Sequence, residues 1–165
     1  MKKKKITVRR AMYHEYMEIR KVKCNSFWEE MRMYRKDPNS FLAADGIKRE
    51  QDSLINLNGI QHNYVAIWGG KIIGGCTVYA EENERYYVKI LYVAMEWQNK
   101  GVGAIILNEL DKEFPKAKSW YLETPYRSYR NHHFYEKMGY RKVGETEKEE
   151  DGFYLFNYER VVKEF

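Results

Sequence analysis

Apolar and polar positions follow two different rhythms along the chain, and the change comes at Asn58-Gly59. Ahead of it, Ile6-Thr7-Val8-Arg9-Arg10 predicts a short strand. Met12, Tyr16 and Ile19 then recur at helical spacing in a helix over about residues 12–33, until Lys23 interrupts the stripe. Asp37-Pro38-Asn39-Ser40 predicts a turn capping a second helix that runs to about Leu57, with Ile47, Leu54 and Leu57 on one face despite Gly46.

Beyond Gly59 the pattern is that of strands. Tyr64-Val65-Ala66-Ile67-Trp68, a Gly69-Gly70 turn and residues 72–80 predict a hairpin, and residues 86–93 a further strand. A helix follows over residues 101–114, with Ile106, Leu107, Leu110 and Phe114 on one face. Pro115 ends it, and residues 119–124 predict a strand that stops at Pro125, a residue disfavoured inside a sheet. A short helix over residues 131–138 is stopped by Gly139, and residues 140–147 and 153–160 make a last hairpin around Glu150-Asp151-Gly152. The element order is β-α-α-β-β-β-α-β-α-β-β, with no repeat, linker or low-complexity tract, so a single domain over residues 1–165 is expected.

Composition narrows the classes of function. Hydrophobic residues at 44% and charged residues at 32% are too apolar for a disordered chain and too interrupted for a membrane span of about 20 apolar residues. Lys2-Lys3-Lys4-Lys5 resembles the charged start of a signal peptide, but the residues after it hold no apolar run, so a cytoplasmic protein is expected. Cys24 and Cys76 stand far apart with no CxxC spacing, and no histidine cluster is present, so neither a disulfide framework nor a metal site is expected. The net charge of +5 favours anionic partners without choosing among them. The basic residues are interspersed with 24 acidic ones and form no nucleic-acid reading motif, so no nucleic-acid partner is expected.

Candidate chemistry sits at Gln98-Asn99-Lys100-Gly101-Val102-Gly103-Ala104, between a strand and a helix. Two glycines permit a tight turn and open the backbone to a ligand. The unpaired amides and positive dipole end of the helix suit a diphosphate, and Lys100 adds a mobile cation. A Walker loop would need Gly-Lys-Ser/Thr after its second glycine, and a dinucleotide fingerprint a third glycine followed about 20 residues later by an acidic residue. Gly103 is followed instead by Ala104-Ile105-Ile106.

The Gln98, Gly101, Gly103 spacing resembles the coenzyme A pyrophosphate signature of the GNAT superfamily of N-acetyltransferases. Asn131-His132-His133-Phe134-Tyr135-Glu136-Lys137-Met138-Gly139-Tyr140 is similar to the second hallmark of that family, at the matching separation. Phe134 and Met138 also read as core positions of an amphipathic helix. The resemblance implies a mixed α/β (α+β) fold: a central mixed, mainly antiparallel sheet with helices on both faces. It implies acetyl-CoA as cofactor, held by Leu91, Tyr92, Val93, Gln98, Asn99, Lys100, Gly101, Val102, Gly103, Ala104, Asn131, Phe134 and Tyr135.

In the mechanism so implied, the strands ending at Val93 and near Thr124 splay, and Leu91, Tyr92 and Val93 pair with the pantetheine arm as an added strand. A backbone N–H near Tyr92 steadies the oxyanion of a tetrahedral intermediate. Tyr135 is the candidate acid, a phenol of pKa ~10 protonating a thiolate whose thiol has a pKa of ~8.5. The acceptor is a small-molecule or peptide amine. A lysine-like ammonium of pKa ~10.4 needs roughly 4–5 kcal/mol to be neutral at pH 7, whereas an α-amine of pKa ~7.7–8.0 needs far less.

Many relatives place a carboxylate or histidine on the strand before the phosphate turn; here strict alternation offers Tyr87, Lys89 and Leu91, or Val88, Ile90 and Tyr92. Lys89 is expected in solvent rather than, as the alternative, in the pocket recruiting an acidic acceptor, and Glu123, at the end of the other splayed strand, is the candidate base acting through water. Phe27, Trp28, Glu29, Glu30, Met31 and Tyr34 either select an aromatic or cationic amine or form one apolar helix face with two solvated glutamates. A module that binds coenzyme A without efficient transfer fits the missing strand base, and an open edge on the final hairpin suits a homodimer.

Overall fold

The computed structural model describes residues 3–33, 44–55 and 59–162. In chain order these form β1 (Thr7–Arg10), α1 (Tyr16–Met33), α2 (Ala44–Ile55), β2 (Gln61–Trp68), β3 (Lys71–Ala80), β4 (Arg85–Val93), α3 (Val102–Glu113), β5 (Ser119–Pro125), α4 (Tyr129–Lys137), β6 (Arg141–Glu145) and β7 (Leu155–Val161). The order is the one read from the sequence. The strands make a single sheet, β1-β2-β3-β4-β5-β7-β6, antiparallel at every pairing except β4 with β5.

Element ends moved where polar groups found partners. Met12 lies outside α1 and is exposed, because Tyr13–Glu15 form a 3-10 turn whose Glu15 carboxylate accepts from the Met12 amide at 2.7 Å. Strand β2 starts at Gln61 rather than Tyr64, since Asn63 is satisfied within the sheet by Thr77 at 2.7 Å and by the Ser53 carbonyl at 2.9 Å. The predicted cap at residues 37–40 and the helical position of Leu57 lie outside the described residues.

Helices cover both faces of the sheet. Tyr64, Val78, Val88, Trp120, Leu122 and Tyr158 pack with Ile106 and Leu110 of α3 and Tyr135 of α4. The opposite face packs Val65, Ile72 and Tyr92 against Ile19 of α1, with Leu54 of α2 at the margin. Fully burying such side chains contributes about 1.5–3 kcal/mol each, so the two layers hold the sheet rigid beneath the site.

Strand β4 serves both layers through a bulge. Thr77 pairs with Ile90 and Val78 with Val88, leaving Lys89 as an extra residue. Strict alternation therefore fails: Tyr86, Val88, Leu91 and Val93 pack into the α3 layer, while Ile90 and Tyr92 pack into the α1 layer. Lys89 is exposed, as expected, and donates to the Tyr79 hydroxyl at 3.1 Å.

Candidate active site

The parallel β4–β5 contact is short. Arg85, Tyr86 and Tyr87 pair with Ser119, Trp120 and Tyr121, after which the two strands run on without pairing each other. Strand β5 stays hydrogen-bonded to β7 as far as Pro125, so the parting exposes backbone along Val88–Val93 and the end of β5.

A cleft of about 580 Å³ opens at this fork. Leu91, Tyr92 and Val93 form one wall, Gln98, Asn99, Gly101, Val102 and Gly103 one end, and Asn131, Phe134 and Tyr135 the facing wall. Cofactor positions read from separate stretches of sequence are thus brought together. Lys100 and Ala104 do not line the cleft; Lys100 lies over the Trp97 ring, 5.3 Å from its centroid.

The turn before α3 owes its shape to two left-handed residues, Asn99 at φ 62° and Gly101 at φ 82°. Gly101 is the N-cap of α3 and offers no side-chain cap, and the first turn holds no acidic residue. The opening amides of α3 therefore face the cleft with no protein acceptor supplied by a capping side chain, a donor set that fits a diphosphate. Gly103 has a separate role: a methyl there would come 3.0 Å from Phe134 Cζ, so its absence lets the Phe134 ring close over the helix start.

Gln98 does more than mark the motif. Its Nε2 donates to the Val93 carbonyl at 3.1 Å and its Oε1 accepts from Arg130 Nη2 at 2.7 Å. Arg127 and Arg130 both line the cleft, as do Ser26 and Phe27 from α1 and Met95 and Trp97 from the turn after β4. Sequence reasoning missed the two arginines, although their place just ahead of Asn131 in Arg127-Ser128-Tyr129-Arg130 was a usable signal for an anion at this end.

Tyr135 is 8% exposed, lies 5.9 Å from Tyr140 between ring centroids, and lines the cleft. Glu123 is exposed on β5, paired with Asn157 of β7, and does not line the cleft. Its carboxylate lies close enough to Tyr87 to help burial push that phenol up to about 12. Of the acceptor set, Phe27 reaches the cleft; Tyr34 and the side chains of Trp28, Glu29, Glu30 and Met31 lie outside the described residues. No Asp, Glu or His lines the cleft among the described residues.

Cys76 is buried, which pushes its thiol up to about 12, and Cys24 is half-buried. Among the described residues no group of three or more His, Cys, Asp and Glu side chains could hold a metal, and no helix is long and apolar enough to cross a membrane.

A mixed sheet whose parted parallel strands meet an uncapped helix start defines a coenzyme A-binding acyltransferase fold. The acetyltransferase (GNAT) domain family matches residues 59–142, and the chain belongs to that family. It is similar in structure to the PaiA N-acetyltransferase of Thermoplasma acidophilum in complex with coenzyme A, at TM-score 0.80 and 16% identity over 96% of this chain and 99% of that one. An acetyltransferase of Thermus thermophilus gives TM-score 0.76 at 12% identity over 95% and 97%. The ribosomal-protein-S18-alanine N-acetyltransferase of Escherichia coli gives 0.73 at 13% over 98% and 96%. No curated protein sequence matches the chain significantly.

Proposed function

We propose that the chain is a cytoplasmic, single-domain N-acetyltransferase that moves the acetyl group of acetyl-CoA to a primary amine of a small molecule or peptide, without nucleic-acid or membrane partners. The observation that carries this reading is the convergence of α3's uncapped start, the edge of β4 that β5 leaves unpaired and the Tyr135 side chain on one cleft. The coenzyme A in the Thermoplasma structure and the alanine named for the Escherichia coli protein support the cofactor and the amine class.

Bound acetyl-CoA would supply an activated thioester. The opening amides of α3 would hold its diphosphate, with Arg127 in the cleft lining and Lys100 outside it adding positive charge. Leu91–Val93 would offer backbone groups to the pantetheine arm, Asn131 and Phe134 complete the opposite wall, and an N–H near Tyr92 would be available to a developing oxyanion. Tyr135, which lines the cleft, would supply the proton taken up by the departing sulfur. Glu123, just beyond the last β4–β5 pair, draws a proton from the amine through water. An α-amine acceptor loses its proton near neutral pH and relies on Glu123 least.

The test is Tyr135→Phe. Calorimetry should show coenzyme A affinity largely kept, and free-thiol release should show turnover lowered about 100-fold; full turnover would remove Tyr135 from the chemistry. The cleft's lack of acidic or histidine lining among the described residues favours a second reading, a coenzyme A-binding module with little transfer. Tight binding with no thiol released across an amine panel would establish it.

A further inference from the structure

We infer that α4 is a strut setting the width of the gap between β4 and β5, with Gln98 and His132 as its positioning residues; the inference rests on the acetyl-transfer reading above. Each parted strand ends in a carbonyl that is tied to the first turns of α4. The Val93 carbonyl, ending β4, accepts from Gln98 Nε2 at 3.1 Å, and Gln98 Oε1 accepts from Arg130 Nη2 at 2.7 Å. The Pro125 carbonyl, ending β5, lies 2.9 Å from His132 Nε2. A carbonyl only accepts, so that nitrogen carries the hydrogen.

The chemistry of these ties leaves little freedom. Arg130 only donates and the Val93 carbonyl only accepts, so the Gln98 amide has one workable orientation and both of its ends are engaged. His132 is 8% exposed, and its ring stacks on Phe156 of β7 at 4.6 Å with 22° between planes. Strand β7 is itself paired to β5 along its length, so this tie bears on a rigid support. Arg130 and His132 flank Asn131, which lines the cleft, and Tyr135 follows one turn later.

Tyr87–Tyr121 closes the gap at one end, and the strut spans it at the other. With no β4–β5 hydrogen bonds between those points, the separation of the strand tips is set by what bridges them. A pantetheine arm that pairs with β4 backbone senses that separation directly, and a misplacement of about 1 Å can lower turnover by up to about 100-fold. Gln98 therefore governs thioester placement through Val93 and Arg130 rather than by gripping phosphate.

The experiment compares Gln98→Met, Gln98→Glu, His132→Ala and His132→Gln in the full chain. Gln98→Glu keeps an acceptor for Arg130 but sets a carboxylate oxygen against the Val93 carbonyl; His132→Gln keeps a donor for Pro125. Three quantities are measured: coenzyme A affinity by calorimetry, kcat and KM by thiol release, and hydrogen exchange of the unliganded protein over residues 91–98 and 122–128.

Both Gln98 variants should lower kcat about 10-fold with coenzyme A affinity held within about threefold, the pattern of misplacement rather than lost binding. Exchange should rise in the two segments and stay unchanged over residues 61–80, and His132→Gln should recover most of what His132→Ala loses. Coenzyme A affinity falling about 10-fold with kcat and exchange unchanged would make Gln98 a phosphate ligand and overturn the strut. If the unmodified chain releases no thiol with any amine, the acetyl-transfer reading falls, and exchange alone decides the strut. Should an alanine or methionine variant fail to fold, Gln98→Glu carries the comparison against the unmodified chain.

Discussion

Tyr87 and Tyr121 stack across β4 and β5 with ring centroids 4.7 Å apart and planes at 13°, and theirs is the last pairing before the strands part. The stack extends to Tyr79, 6.2 Å beyond Tyr87, and Arg85 covers the Tyr121 ring at 4.0 Å while the Tyr121 hydroxyl donates to Glu81. The fork thus begins where an aromatic stack with charged neighbours ends. Offset ring pairs contribute about 0.5–1.5 kcal/mol beyond area burial, enough to fix where the sheet stops zipping.

Alkaline titration reads this packing directly. Burial pushes the phenols of Tyr64, Tyr87 and Tyr140 up to about 12. Groups whose folded pKa exceeds an unfolded value of ~10 contribute their full stabilisation below that value, and it is lost as pH rises through the folded pKa. Phenolate absorbance should therefore rise first for exposed tyrosines, then in a second wave near pH 12 that coincides with loss of near-ultraviolet circular dichroism. One wave near pH ~10 with the fold intact would contradict the burial.

The bulge at Lys89 makes a prediction about length rather than chemistry. Lys89→Ala should change stability by no more than ~0.5 kcal/mol in urea unfolding, because the side chain is exposed and its bond to Tyr79 lies in solvent. Deleting Lys89 should keep unfolding cooperative, since Val88 and Ile90 already pair with adjacent residues of β3 and removing the extra residue leaves Leu91 and Val93 on the α3 side and Ile90 and Tyr92 on the α1 side. Loss of cooperative unfolding on that deletion would show that residues 90–93 are not held in this register.

Lys23 and Glu50 join α1 to α2 at 2.7 and 2.9 Å, with side chains only 13% and 10% exposed. Lys23→Met or Glu50→Leu alone should cost about 3 kcal/mol, because each leaves a buried charge without its partner. The double variant should recover most of that loss, and urea midpoints for the three proteins check it. Equal destabilisation in all three would show that helix packing, not the orphaned charge, dominates.

The pair also explains a limit of the sequence reading. Lys23 broke an apolar stripe, and nothing in its neighbourhood disclosed that Glu50, on the next helix, would neutralise it inside the structure. The bulge was equally hidden, because the apolar run Ile90-Leu91-Tyr92-Val93 after Lys89 fits either register until β3 supplies the partner. His132 looked like one more residue of a motif; its bond to Pro125 joins a helix to a strand end.

The order of elements, the glycine turn before α3 and the helix bearing Tyr135 were determined by the sequence itself, since period, glycine placement and helix starts are local properties of the backbone. Tertiary structure alone decided which face each residue of β4 serves, where β4 and β5 part, and that Glu123 stands outside the cleft while Arg127 and Arg130 line it. Those outcomes depend on pairings between residues distant in the chain, and a side chain's own identity does not specify its partner across a sheet.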